Sequence, residues 1–454
     1  MRIHLIAIGG AVMHNLALAL QHNGNTVSGS DDEIYNPARE RLAKVGILPE
    51  KDGWFPEKIT SDIDCIILGM HARADNPELL KAQTLGLKIY SFPEYIYEHS
   101  AKKMRVVIAG SHGKTTTTSM IMHVLKNSGV DFDYLVGAQL DGFDNMVRLS
   151  DAPIIIIEGD EYLSSAIDRV PKIWHYKPNI AVITGIAWDH VNVFPTFESY
   201  VNAFSQFIKY INPDGILFYA DDDAELKRII KENADCTVKS YAPFRNVIQN
   251  NINSIFDTFK NIVPISVFGK HNLANMRAAY LVCRRLNIPT KDFFMHIGSF
   301  TGAAKRLQTL YETPHNIAFL DFAHAPSKVR ATVDAVKNRY PERKLVACLE
   351  LHTYSSLNKD FLPQYKNTLS QADIAIVFFN SHTLEMKKMP ALDADDLKNF
   401  FGKQDLKVFT TNKDLELFLN QINFKNTNLL MMTSGNFMGL DLKKIAFLTM
   451  KDKR

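Results

Sequence analysis

Residues 105–120, RVVIAGSHGKTTTTSM, combine the residue types and spacing most able to do chemistry. Four apolar residues at 106–109 run directly into a glycine-rich turn that a Thr-rich segment follows. Glycines let backbone N–H groups close around an anion, a lysine adds positive charge, and a hydroxyl can ligate Mg²⁺. The pattern predicts a loop that binds the phosphates of a nucleoside triphosphate, formed by Gly110, Ser111, His112, Gly113, Lys114, Thr115 and Thr116.

The spacing departs from the general phosphate-loop pattern G-x-x-x-x-G-K-[ST]. Counting back from Gly113, the first glycine would stand at position 108, which is Ile108. The alternative interpretation is an ordinary Gly-Lys-Thr turn between a strand and a helix.

Composition narrows the class of protein. A chain of 454 residues suggests about three domains, and its 46% hydrophobic and 22% charged content is that of a globular protein. A net charge of +3 is too small to indicate nucleic acid or an anionic membrane as a partner. No apolar run approaches the roughly 20 residues of a membrane span, and the four cysteines form no C-x-x-C pair. We therefore expect a cytoplasmic protein.

Strand-like runs alternate with helix-like runs, which predicts an α/β fold with parallel sheets in three domains. Residues 1–103 show a strand at 3–8, a turn at Gly9-Gly10, a helix at 13–21 and a strand at 26–28, followed by acids about 20 residues past the glycines, as in a Rossmann-like unit. Residues 104–298 contain the phosphate loop and form the central domain. Residues 299–454, with strands at 318–321, 345–349, 374–378 and 429–432, form a second Rossmann-like domain.

Two polar groups follow buried strands in the central region. Glu158 ends the apolar run 154–157, where a Mg²⁺ ligand is expected in a phosphate-loop domain; the alternative is a solvated acidic turn. His190, in Trp188-Asp189-His190, follows the strand 180–183 and could ligate a metal or contact phosphate, unless its role is structural.

Two asparagines, an arginine and an aspartate complete the set of candidate site residues. Asn272 and Asn275 lie three residues apart at the start of a predicted helix, so one face could carry both to an adenine edge; the alternative is N-capping by Asn272. Arg306, beside Lys305, could reach a γ-phosphate, or it could be a surface residue. Asp321 ends a strand and opens the segment Asp321-Phe-Ala-His-Ala-Pro326.

Taken together and in this order, these motifs resemble the ATP-dependent Mur ligases, the cytoplasmic family that builds peptidoglycan precursors. The shortened loop G-[ST]-x-G-K-T-T is similar to the family's own variant, which would explain Ile108. EGDE at 158–161, DH at 189–190, HNLAN at 271–275, KR at 305–306 and DFAHAP at 321–326 also resemble family motifs, and the likeness extends over nearly the whole chain.

Two branches of the family are the most similar. One adds L-alanine to UDP-N-acetylmuramate; the other, used in peptidoglycan recycling, joins the tripeptide L-alanyl-γ-D-glutamyl-meso-diaminopimelate to the same sugar nucleotide. EGDEY, DFAHAP and the segment 32–37 resemble the recycling branch more, so the expected amine donor is the tripeptide, with L-alanine as the alternative. Residues 351–354, LHTY, lack the arginine that either branch tends to carry there.

The resemblance also implies roles for residues. Lys114, Glu158, His190 and Arg306 would be catalytic, and Thr115, Glu158 and His190 would hold metal. The nucleotide would contact the phosphate loop, Asn272, Asn275, Arg306 and Asp321. The UDP-sugar would lie at strand ends in the first domain, near Gly9, Gly10, Ser30, Asp31 and His71. ATP and Mg²⁺ are the expected cofactors, and residues 299–454 would bind the amino acid or peptide.

Two other classes of protein remain as alternatives. An oxidoreductase could be argued from the first Rossmann-like unit, but this leaves the phosphate loop and Glu158 unexplained. A non-enzymatic nucleotide switch would need the loop and its metal ligands, but it predicts neither a second nucleotide region nor an arginine from another domain.

Overall fold

Four sheets organise the computed structural model, which describes residues 1–249, 252–303, 306–387 and 389–450. The chain divides into two compact units. Unit 1 comprises Met1–Ile186, Val201–Ala242 and Arg277–His296, and unit 2 comprises Ala187–Tyr200, Pro243–Met276 and Ile297–Arg454.

The first sheet of unit 1 is parallel, with strand order β2-β1-β3-β4. Its elements are β1 (Arg2–Ile6), α1 (Ala11–His22), β2 (Thr26–Ser30), α2 (Ala38–Lys44), β3 (Cys65–Leu68), α3 (Pro77–Thr84), β4 (Ile89–Ser91) and α4 (Phe92–Ser100). Strand β1 is shorter than predicted because Ala7 already has a positive φ of 67° and turns the chain. Parallel pairing brings the carboxyl ends of β1, β2 and β3 to one edge.

The second sheet of unit 1 has the order β11-β10-β9-β5-β8-β6-β7, and only β7 runs antiparallel to its neighbour. Its elements are β5 (Met104–Ala109), α5 (Lys114–Asn127), β6 (Asp133–Leu135), β7 (Val147–Arg148), β8 (Ile154–Glu158), β9 (Ile180–Ile183), α6 (Phe197–Lys209), β10 (Ile216–Ala220), α7 (Ala224–Asn233) and β11 (Thr237–Tyr241). Ile108 pairs with Glu158 and Ala109 pairs with Ile183. The ends of β8 and β9 therefore flank the predicted phosphate loop.

Unit 2 contains an antiparallel sheet and a larger, mostly parallel one. The small sheet is β12 (Asn246–Gln249), β13 (Ile252–Phe256) and β14 (Ile262–Pro264); α8 (Lys270–Arg285) and α9 (Thr290–Ile297) follow it in the chain, and both helices extend beyond the unit.

The larger sheet has the order β15-β16-β20-β17-β18-β19, with only β15 antiparallel to its neighbour. Its elements are β15 (Gln308–Glu312), β16 (Ile317–Asp321), α10 (Pro326–Arg339), β17 (Lys344–Glu350), α11 (Tyr354–Leu357), β18 (Ile374–Phe378), α12 (Ser381–Met386), α13 (Ala394–Phe401), β19 (Lys407–Phe409), α14 (Asn412–Gln421), β20 (Thr427–Met432) and α15 (Leu442–Met450).

Both faces of the larger sheet are covered. In β16, Ile317 and Phe319 belong to one apolar cluster, and the alternating Ala318 and Leu320 belong to another on the opposite face. A strand buried on both faces is apolar along its whole length, which is why the sequence shows continuous apolar runs there. The predicted α/β fold with parallel sheets is confirmed.

A group of polar side chains links the β4–α4 turn to residues 168–175 within unit 1. Ser91 and Glu94 form a capping box at the start of α4, and the Ser91 hydroxyl also donates to Asp168 Oδ2 at 3.3 Å. His175 Nε2 lies 2.8 Å from the same Asp168 oxygen. The capping box and the His175–Asp168 contact explain this group as a structural feature that holds the β4–α4 turn against residues 168–175.

Across the described part of the chain, none of the helices has both the length and the apolar character needed to cross a membrane.

Candidate functional site

The predicted phosphate loop connects β5 to α5, with Gly110 and Gly113 at positive φ values of 118° and 78°. A Cβ at Gly110 would stand 2.4 Å from Thr184 Oγ1, so only glycine fits this close approach. The loop is fixed to the end of β9, because Ser111 N donates to Gly185 O at 3.0 Å and the Thr184 hydroxyl donates to His112 O. The sequence therefore folds these residues into a rigid turn at a helix N-terminus, the geometry that binds phosphate.

Lys114 is the first residue of α5, and its ammonium group stays at the loop. Nζ donates to Gly110 O at 2.7 Å and to Glu161 Oε2 at 2.8 Å. Burial by itself lowers the pKa of Lys114, but Glu161, with Asp160 and Glu158 behind it, outweighs burial and raises this pKa. The lysine is therefore charged whenever the protein is folded at neutral pH.

Thr115 and Glu158 lie side by side, as the sequence predicted. The Thr115 hydroxyl donates to Glu158 Oε1 at 2.6 Å, and Gly137 N donates to Oε2 at 2.9 Å. A hydroxyl and a carboxylate are hard oxygen donors of the kind that Mg²⁺ prefers. The donor set therefore fits a magnesium ion next to the loop.

The acids at the end of β8 and just after it have different partners. Glu158 contacts Thr115, Asp160 pairs with Lys172 at 2.6 Å, and Glu161 pairs with Lys114. Glu161 is 1% exposed, whereas the Asp160 side chain is 41% exposed. Glu161 is the functional candidate that the sequence argument missed. The available signal was its place in EGDE directly after the strand, but the sequence does not say which acid turns toward the lysine.

In unit 2, Asp189 holds the backbone at His190. The Asp189 carboxylate accepts the His190 N–H at 2.8 Å, and His190 adopts a positive φ of 58°. Lys328 Nζ lies 3.6 Å from the other Asp189 oxygen. Burial acts to raise the pKa of Asp189, but Lys328, His190 and His324 together lower it well below its usual range. Asp189 and Lys328 were not predicted as site residues.

Arg306 and Asp321 lie close together in the same unit, and the neighbouring Lys305 falls outside the described residues. The Arg306 guanidinium carbon lies 4.9 Å from the centre of the Phe322 ring. Asp321 Oδ2 accepts Leu307 N–H at 2.7 Å. Burial raises the pKa of Asp321, although Arg306 acts in the opposite direction.

Two histidines, of which His324 is buried, lie near Arg306 or Lys328. Burial, followed by the charge of Arg306, lowers the pKa of His271 to about 4. Burial, followed by Lys328, lowers the pKa of His324 to about 3. Both rings are therefore neutral at physiological pH and add no charge to that of Arg306 and Lys328.

Asn272 and Asn275 are both buried near the start of α8. The helix begins at Lys270, so the alternative that Asn272 is its N-cap is wrong. The Asn272 side chain instead donates from Nδ2 to Phe268 O at 2.9 Å.

The residues predicted to bind the UDP-sugar follow β1, β2 and β3 at one edge of the first sheet. Asp31 Oδ2 accepts Gly9 N–H at 2.7 Å, and Gly10 precedes the first residue of α1. Burial, followed by the neighbouring Asp32, raises the pKa of Asp31 to about 7. Ser30 is fully buried at the end of β2, whereas His71 is exposed in the turn after β3.

Unit 1 thus brings together the phosphate loop, Thr115 and Glu158, and separately Gly9 with Asp31. Unit 2 brings together Arg306, Asp321 and the Asp189–His190 pair with Lys328. The binding and catalytic roles given to all these residues from sequence stay predictions.

A phosphate loop beside a hydroxyl–carboxylate pair, on a largely parallel sheet, defines the class of P-loop α/β nucleotide-binding proteins. Family models agree and are more specific. The model described as Mur ligase family, catalytic domain, matches residues 2–104, and the one described as Mur ligase middle domain matches residues 108–283.

Curated relatives carry one activity in their names. UDP-N-acetylmuramate–L-alanine ligase of Clostridium botulinum (strain Hall) is 34% identical over 385 residues, which is 80% of this chain and 81% of the relative. The ligase of the same name from Clostridium tetani (strain Massachusetts / E88) is 33% identical over 391 residues, 82% of this chain and 83% of the relative. The chain belongs to the Mur ligase family, and so it is an ATP-dependent ligase of peptidoglycan synthesis that forms C–N bonds.

Solved structures share the fold. A UDP-N-acetylmuramate–alanine ligase from Thermotoga maritima has a TM-score of 0.68 at 22% identity, covering 98% of this chain and 97% of that one. A murein peptide ligase from Psychrobacter arcticus has a TM-score of 0.67 at 21% identity, covering 99% of both chains. UDP-N-acetylmuramate:L-alanyl-γ-D-glutamyl-meso-diaminopimelate ligase from Neisseria meningitides has a TM-score of 0.60 at 25% identity, covering 66% of this chain and 98% of that one. The predicted family, fold and class of enzyme are confirmed.

Proposed function

We propose that this ligase joins L-alanine to the carboxylate of UDP-N-acetylmuramate. The observation that carries the proposal is the 34% identity, over 80% of this chain, to a relative named for that reaction. The tripeptide that the sequence motifs favoured is less well supported than this alternative.

The reaction has two steps. The carboxylate of the sugar attacks the γ-phosphate of ATP, which gives an acyl phosphate and ADP. The amine then attacks the activated carbonyl carbon, the C–N bond forms, phosphate leaves, and the amine loses a proton. Phosphorylation is needed because an oxide ion is a poor leaving group from a carboxylate.

The phosphate loop and Lys114 would hold the transferring phosphate and oppose its charge. Mg²⁺, when bound, would supply further positive charge at the phosphate oxygens. Thr115 and Glu158, whose side chains already touch at 2.6 Å, would hold that ion, and His190 would serve a second cation.

The other nucleotide contacts predicted from the sequence belong to the same proposal. Arg306 would contact the γ-phosphate, with Asp321 nearby, and Asn275 would hold adenine with support from Asn272. Gly9, Gly10, Ser30, Asp31 and His71 would bind the UDP-sugar.

The tripeptide is a second candidate for the amine donor. The motifs EGDEY and DFAHAP favour it, and so does the fold likeness to murein peptide ligases. The reaction with the tripeptide has the same activation step and differs only in the amine that attacks the acyl phosphate.

One assay separates the two donors. Purified enzyme with ATP, Mg²⁺ and UDP-N-acetylmuramate receives either L-alanine or the tripeptide, and phosphate release and product mass are followed. At low concentrations of the amine donor, we expect faster turnover with L-alanine than with the tripeptide. Efficient turnover with the tripeptide but not with L-alanine would overturn the proposal. Phosphate release that depends on neither acid nor amine would point to the nucleotide switch instead.

A further inference from the structure

We infer that Glu161 is an internal anion that occupies Lys114 when nucleotide is absent, and that it sets nucleotide affinity by competing with the phosphates for that ammonium group. The inference rests on the proposed role of Lys114 in binding phosphate. It adds a positioning residue that acts through Lys114.

The contacts show how specific the pairing is. Lys114 Nζ lies 2.8 Å from Glu161 Oε2 and 2.7 Å from Gly110 O, so the side chain folds back across its own loop. The Lys114 side chain is 15% exposed and the Glu161 side chain 1%. A carboxylate as buried as that of Glu161 requires a compensating cation, so its pairing with Lys114 is a defined state of the loop.

The neighbouring acids already have other partners. Glu158 accepts from Thr115 and Gly137, and Asp160 contacts Lys172 at 2.6 Å. Of the three acids in this segment, Glu161 is the one that hydrogen-bonds to Lys114.

A phosphate that approaches the loop must therefore take over an ammonium group that a carboxylate holds. The carboxylate weakens binding in two ways: its hydrogen bond must be given up, and its negative charge stays near the phosphates. After turnover, the return of Glu161 to Lys114 favours release of ADP. Weaker product binding is useful because tight, uniform nucleotide binding does not accelerate the chemical step.

Glu161→Gln tests this competition, because glutamine keeps the shape and loses the charge. We expect the full-length variant to bind ADP with Mg²⁺ about tenfold more tightly by calorimetry, mainly through slower dissociation measured by stopped flow. Unchanged or weaker ADP binding would overturn the inference, since a lesion that only loosens the loop does not raise affinity.

Asp160→Asn is the matched control. It makes the same charge change one residue away, but Asp160 pairs with Lys172, so we expect ADP affinity to change less than about twofold. An equal tightening in both variants would show a general charge effect and overturn the specific role of Glu161. If Glu161→Gln fails to fold, Glu161→Asp keeps the charge and shortens its reach to Nζ by one methylene. This variant should bind ADP more tightly than the wild type, but by less than is expected for Glu161→Gln. ADP affinity equal to that of the wild type would overturn the inference.

Lys114→Met separates this inference from the proposed function. If it binds ADP as the wild type does, Lys114 is not a phosphate ligand and the proposed site fails. If it loses affinity while Glu161→Gln gains none, the site stands and only the competition fails.

Discussion

Unit 1 contains two turns of the same construction that differ in the ionisable groups around them. In both, a parallel strand runs through a glycine turn into a helix: β1 passes through Gly9 and Gly10 into α1, and β5 passes through Gly110–Gly113 into α5. Ala11 is the first residue of α1, and Lys114 is the first residue of α5.

The difference lies in what the neighbouring strand end contributes. At the first turn, the carboxylate of Asp31, just after β2, accepts the Gly9 N–H at 2.7 Å. At the second, Glu158 at the end of β8 and Glu161 just after it accept from the side chains of Thr115 and Lys114. A glycine turn at a sheet edge therefore does not define a phosphate site on its own; the charges brought to it by adjacent strands decide what it can bind.

Lys114→Ala should have the largest effect on turnover. It places at the start of α5 the residue type that begins α1, where Ala11 stands. Turnover should fall by at least about 10²–10³-fold, because the charge that opposes the transferring phosphate is lost. The measurement is phosphate release with saturating UDP-N-acetylmuramate and L-alanine.

Removal of the lysine also leaves Glu161 buried without its cation, which destabilises the fold. Lys114→Ala/Glu161→Gln should recover thermal stability without recovering turnover. Lys126→Ala, which removes another lysine of α5 that donates to Gly142 O, should keep turnover close to that of the wild type. Turnover near the wild-type rate in Lys114→Ala would remove this residue from the mechanism.

The comparison of the two turns also shows which site residues could be predicted from the sequence. The glycine-rich turn between a strand and a helix predicted Lys114 and Thr115, and the end of a buried strand predicted Glu158. These patterns did not separate Glu161 from Asp160, since the path of the chain after β8 decides which acid faces the loop. The positive φ of His190 and the pairing of Asp189 with Lys328 depend on tertiary contacts that no local pattern encodes.

Alanine substitutions at three glycines of these turns should destabilise the protein to different degrees, in the order set by the space available for a Cβ atom. At Gly110 a Cβ would lie 2.4 Å from Thr184 Oγ1, and φ is 118°. At Gly9 it would lie 2.9 Å from Asp31 Oδ2, whereas at Gly10 its nearest neighbour is Met13 Cβ at 3.6 Å. We expect losses in unfolding free energy above about 2 kcal/mol at Gly110, about 1–2 kcal/mol at Gly9 and close to none at Gly10.

Urea unfolding of the three variants checks this order. A Gly9→Ala variant as stable as Gly10→Ala would show that Asp31 moves away easily, and the first turn would then be less rigid than the second.

The smallest effect should come from Asp31→Asn and should depend on pH. Burial raises the pKa of Asp31 to about 7, so the folded protein keeps a proton there that the unfolded chain, with a pKa of about 3.9, releases. The unfolding free energy therefore falls as pH rises from about 4 to about 7. Asparagine still accepts the Gly9 N–H but carries no proton to lose, so the variant should lose less stability across this range.

Urea midpoints at pH 5 and pH 7.5 for the wild type, Asp31→Asn and the exposed-site control Asp151→Asn measure the slope. If Asp31→Asn leaves the dependence of stability on pH unchanged, Asp31 is already ionised at pH 5 while it accepts the Gly9 N–H. The first turn would then hold its own anion throughout this range. A diphosphate at Gly9 would have to displace a charged carboxylate, just as we infer for phosphate and Glu161 at the second turn.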